Sequence, residues 1–132
     1  MLISYLAIAL GGALGGALRY WIGGLVDQRH EGRLPWGTLI VNISGALVAG
    51  LLAAAFERAG LLDSPAAAAL LVGVCGSYTT VSSFSLQTLS LARSGQCAQA
   101  AGYVAGSAAG CLLAIAVGYG LGAALLAGGY GA

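Results

Sequence analysis

Three groups of uncharged polar side chains sit inside stretches of sequence that are otherwise apolar, where each polar group costs free energy unless it is paired or lines a path. The longest is Gly73-Val74-Cys75-Gly76-Ser77-Tyr78-Thr79-Thr80-Val81-Ser82-Ser83-Phe84-Ser85, near the middle of a very apolar run. Glycine admits non-helical backbone, and unwound carbonyls away from water persist only where they are buried in protein, face a cavity or coordinate an ion. A break around Gly76 to Thr80 therefore offers hard oxygen ligands for a cation. Beyond it Thr80, Ser83, Gln87 and Ser90 recur at i, i+3, i+7 and i+10, which gives one helix face a row of donors bordered by Val81 and Phe84. The bland alternative returns each hydroxyl to its own i−4 carbonyl.

The second group is Thr38, Asn42 and Ser44. Pro35 and Trp36 suit a helix start at the interface, since proline fits the first turn and tryptophan prefers the headgroup level. Asn42 then lies about 9 Å deeper at a rise of 1.5 Å per residue, where its amide either bonds a neighbouring helix or faces a path. Tyr103, Ser107 and Cys111, spaced four apart, form the third group, a ladder that suits the polar side of the broken run.

No Asp, Glu or His lies inside an apolar run, so a proton-coupling carboxylate is missing, as are a nucleophile with its base, a phosphate loop and a metal-ligand cluster. That argues against an enzyme. Uncharged donors suit a small anion, whose hydration must be replaced but which a fixed cation would trap.

The elements that must position these groups follow from composition. In a chain of 132 residues, 59% are hydrophobic and 7% charged, against about a quarter charged in ordinary soluble proteins. The expected solvent is the bilayer. Charged residues punctuate four runs of roughly 2–26, 35–56, 66–92 and 98–126, each reaching the ~20 residues a spanning helix needs. The predicted fold is an all-α membrane protein, one four-helix domain over residues 1–132 with a break in helix 3. The first run has no basic residue before it and exceeds a signal-peptide core, so it is expected to remain in the mature protein. Cys75, Cys97 and Cys111 are odd in number and scattered, which makes them packing residues. A net charge of +1 without a basic patch indicates no nucleic-acid partner. Arg29, Arg33 and Arg93 share one side with Arg19 and Arg58 stands alone on the other, which places both termini outside, although so few charges let the chain insert either way.

Twenty-three glycines supply close helix contacts, because in lipid small residues let backbones approach. Gly11 with Gly15 and Gly12 with Gly16 make overlapping pairs on helix 1. Gly102, Gly106, Gly110, Ala114, Gly118 and Gly122 make a stripe along helix 4 against which one helix is expected to lie. Four helices enclose little room for a wet path, so association is expected, most simply a two-fold homodimer.

Together, Gly12-Ala13-Leu14-Gly15-Gly16-Ala17-Leu18-Arg19-Tyr20, Pro35-Trp36-Gly37-Thr38-Leu39-Ile40-Val41-Asn42 and Thr79-Thr80-Val81-Ser82-Ser83-Phe84-Ser85 resemble the CrcB/Fluc family of bacterial fluoride channels in length, helix count and motif order. The resemblance implies an antiparallel, dual-topology homodimer in the bacterial inner membrane, in contact with lipid. It also implies two fluoride pores along the subunit interface and a structural sodium on the two-fold axis. The carbonyls of Gly76 and Thr79 would ligate the sodium. Asn42 matches the pore asparagine, Tyr103 a tyrosine supporting the aromatic site, and Ser107 the start of a polar track that continues to Cys111. Thr80 and Ser83 would add donors, and Phe84 a ring edge that carries partial positive charge. The family has a first phenylalanine where this chain has Val81, and an acid is expected where it has Gln87. The implied activity is passive fluoride export. One rival is a non-conducting subunit of a heterodimer, suggested by Val81 and the arginine bias. Another is a small dual-topology multidrug exporter, which needs an acid in a span that this chain lacks.

Overall fold

A computed structural model of the chain describes residues 2–29 and 34–127, so His30, Glu31 and Arg33 of the first loop lie outside the described residues. Four helical segments are long and apolar enough to cross a bilayer: Leu2–Arg29 (α1), Trp36–Arg58 (α2), Pro65–Arg93 and Cys97–Ala127. The third divides into α3 (65–78) and α4 (Val81–Arg93), with Thr79 and Thr80 extended between them, and the fourth is α5. The expected runs match these limits within three residues. The largest difference is at the end of α1, which continues past Val26 and so carries Asp27 on the helix.

The ends of these helices are written locally. Ser64 is extended and its hydroxyl accepts from the Ala67 N–H at 3.1 Å, with Pro65 in the first helical position, where a missing N–H costs nothing. Gly60 and Gly95 terminate α2 and α4 at φ 66° and 80°, a left-handed conformation that glycine adopts without strain. Each closes the same pair of bonds: Gly60 N–H to Glu57 O and Leu61 N–H to Phe56 O, then Gly95 N–H to Ala92 O and Gln96 N–H to Leu91 O.

The helices associate chiefly as two pairs, α1 with α3 and α2 with α5, and glycine sits at both seams. A methyl on Gly11 or Gly15 would strike the carbonyls of Ala69 or Val74 on α3, and one on Gly50 or Gly118 would strike those of Ile115 or Leu47 across the other seam. The stripe on α5 is therefore used in part. Gly110, Gly118 and Gly122 meet α2, whereas a methyl on Gly102 or Gly106 would meet nothing within 4 Å. Ala68–Cys75 winds as a π-helix, a form usually confined to single turns and often found next to functional sites.

The core is thin. Val41 is the only large side chain with less than 2% exposure among the described residues, while leucines, valines and aromatics along every span lie open. In water such a surface would aggregate; in a bilayer it is the side that faces hydrocarbon.

Candidate functional site

The unwinding falls later than the glycines suggested. Gly76 keeps helical angles, φ −65° and ψ −32°, and the chain leaves the helix only at Thr79 (φ −74°, ψ 157°) and Thr80 (φ −148°, ψ 123°). Extended angles suit any residue, so no glycine is needed at the break itself. Leaving the helix deprives the Thr80 N–H of its acceptor, the Gly76 carbonyl four residues back. Asn42 on α2 replaces it: Thr80 N–H donates to Asn42 Oδ1 at 2.7 Å, and Asn42 Nδ2 donates to Thr80 O at 3.0 Å.

Further contacts brace the same point. Thr79 Oγ1 donates back to Cys75 O at 2.9 Å, and Ser44 Oγ and Tyr78 Oη lie 3.0 Å apart between α2 and the end of α3. Gly45 makes room for this, since a Cβ there would come within 2.9 Å of Tyr78 Cδ1. Thr80 then caps α4, its hydroxyl accepting from Ser83 N–H at 3.2 Å.

Two cavities flank the break and share Thr80. One, of about 390 Å³, is bordered by Asn42, Gly76, Thr79, Val81 and Cys111. The other, of about 330 Å³, is bordered by Arg19, Asp27, Thr38, Thr80, Ser83 and Gln87. The polar row on helix 3 is thus realised for Thr80, Ser83 and Gln87, while Ser90 lies exposed outside it. Arg19 was not among the residues expected to border a path, and its signal was its charge deep within an apolar run. It donates to Thr79 O at 3.5 Å, a long contact. Asp27 accepts from Gly37 N–H at 2.8 Å, capping α2 from a neighbouring helix. The cavity therefore holds one formal charge of each sign, not the uncharged donors alone that composition suggested.

Phe84 and Tyr103 lie together on the far side of α4, ring centroids 5.4 Å apart and tilted by 33°, in a cluster with Leu91 and Ala100. Tyr103 Oη donates to Gln87 Oε1 at 3.1 Å, which ties the aromatic pair to the donor row. Ser107, one turn along α5, is buried, and its Oγ has no hydrogen-bond partner among the described residues. Val81 borders the larger cavity beside the break and is 77% exposed.

The expected sodium can be tested against these groups. The Gly76 carbonyl has lost its helical donor to Asn42, and the Thr79 carbonyl leaves the helix axis with only a long contact to Arg19. No cluster of three or more His, Cys, Asp or Glu exists among the described residues. Two neutral carbonyl oxygens fit a hard monovalent cation in kind but fall short in number of a full coordination shell.

A sequence-family model described as CrcB-like protein, Camphor Resistance (CrcB) matches residues 6–119, most of the chain. The chain belongs to the CrcB-like family. Three curated relatives carry the name fluoride-specific ion channel FluC. The protein of Rhodospirillum rubrum is 46% identical over 126 residues, covering 94% of this chain and 97% of the relative. Those of Paramagnetospirillum magneticum and Methylocella silvestris are 42% and 41% identical, each over 89% of this chain and covering 94% and 91% of the relative. With membership of this family, the four spans and the apolar exterior identify a multi-pass membrane protein of a channel family, not an enzyme.

Proposed function

We propose that this chain is a passive fluoride-selective channel that lets fluoride leave the cytoplasm across the bacterial inner membrane, down its electrochemical gradient. The observation that carries this reading is the cavity of about 330 Å³ beside the helix break, where Thr38, Thr80, Ser83 and Gln87 meet Arg19. Fluoride is small and strongly hydrated, and closely spaced hard donors discriminate in its favour over chloride by fit and field strength. Asp27 limits the trapping that an isolated Arg19 would cause. The buried Ser107 hydroxyl and the Phe84 ring edge extend the route on the α5 side. The naming of relatives at 41% to 46% identity as fluoride-specific channels agrees with this chemistry.

The functional unit is an antiparallel, dual-topology homodimer with two pores and a structural sodium held by Gly76 and Thr79 carbonyls from both copies. Sodium would supply positive charge that draws together two breaks rich in carbonyl dipoles. Efflux recorded with a fluoride electrode from proteoliposomes, under a potassium and valinomycin potential, tests the proposal. Fluoride release with little chloride release is expected; no fluoride release, or comparable chloride release, overturns it. A second reading, a heterodimer in which an oppositely oriented homologue supplies the missing ring, is favoured by the exposed Val81. Conducting crosslinked homodimers would remove it.

A further inference from the structure

We propose that Asn42 is a positioning residue that holds the helix break in shape, by standing in for the peptide group that Thr80 would otherwise face. This goes beyond a role as a pore donor and rests on the channel reading only for its flux consequence. Both bonds run to one residue: Thr80 N–H to Oδ1 at 2.7 Å and Nδ2 to Thr80 O at 3.0 Å. Thr80 has the φ and ψ of a β-strand, and a strand residue exchanges this same pair of bonds with its neighbour. No second strand exists in a helical span, and an N–H without a partner is costly at membrane depth. A carboxamide carries one acceptor and one donor on a single plane, as a peptide does; a carboxylate carries acceptors alone, and a hydroxyl a single atom.

The consequence reaches the path through Thr80. Its hydroxyl caps α4, so the direction in which Ser83, Phe84 and Gln87 leave the break depends on where Asn42 holds the Thr80 backbone. With Oδ1 and one Nδ2 hydrogen engaged, Asn42 keeps a single N–H for an anion.

The composition makes a direct test practical, because the chain contains one asparagine and four threonines, Thr38, Thr79, Thr80 and Thr88. NMR of protein labelled with nitrogen-15 at Asn and Thr, in nanodiscs, reads both partners. In the unaltered protein the two Nδ2 hydrogens of Asn42 are expected to exchange with solvent at rates at least tenfold apart, and the Thr80 amide to be slow. Asn42→Ala should speed Thr80 exchange at least tenfold and leave Thr38 and Thr88 as they were. Asn42→Asp, which keeps an acceptor, should preserve much of the Thr80 protection while losing fluoride flux. Equal, fast exchange of both Nδ2 hydrogens in the unaltered protein overturns the proposal even if no variant folds. So does unchanged Thr80 protection in Asn42→Ala. A protein that shows the Asn42 and Thr80 signature but passes no fluoride sinks the channel reading and leaves the positioning role standing.

Discussion

At the scale of single residues, the polar groups fall into those that build the break and those that border a path. Val81 borders the larger cavity beside the break, yet at 77% exposure it is left largely open by its own chain. A larger group there meets no clash from its own subunit. Val81→Phe is therefore expected to fold as stably as the original and to raise fluoride efflux several-fold by adding a ring edge, measured in proteoliposomes. Tyr103 works differently. Tyr103→Phe keeps the packing on Phe84 but leaves Gln87 Oε1 without its donor, and should cost about 1 kcal/mol in detergent unfolding. Both residues could be singled out in the sequence, Val81 by comparison with a motif and Tyr103 by its place four residues from Ser107. That Tyr103 reaches Gln87, 16 residues away, could not be seen there.

At the scale of helices, small residues decide which seams close. The four-residue period along α5 was plain in the sequence, but a period describes a face and not its occupant. The structure fills only the Gly110 to Gly122 end with α2. Gly118→Ala would push a methyl into the Leu47 carbonyl and is expected to cost roughly 1–3 kcal/mol, read as a lower unfolding midpoint in detergent. Gly102→Ala meets nothing within 4 Å and should leave that midpoint unchanged in the single chain. The break shows the same division. Its existence was legible from polarity in an apolar run, but its place, Thr79 and Thr80 and not Gly76, depends on which backbone group Asn42 can reach.

At the scale of the whole molecule, what matters is what one copy leaves undone. Gly76 shows this, because a Cβ added to it would have Leu71 O as its nearest neighbour at 3.8 Å. Gly76→Ala should therefore leave the fold of one chain intact, and any loss of dimer must come from the second copy. Gel filtration with light scattering in detergent should then show monomer in place of dimer at normal helicity. If sodium joins the two breaks, replacing it with a large organic cation should shift the unaltered protein the same way, and returning sodium should restore the dimer.

Hydropathy and the few charges decided on their own that four helices cross the membrane, because burial in lipid is a property of each segment taken alone. Caps were local too: Ser64 with Pro65, and the glycines at 60 and 95, act within a turn or two of chain. Asn42, by contrast, completes the backbone of Thr80 across 38 residues, and Arg19 reaches Thr79 across 60. Only the packed helices bring such groups together. A span's polarity states that its groups need partners, and the crossing of α1, α2 and the broken third span decides which they find.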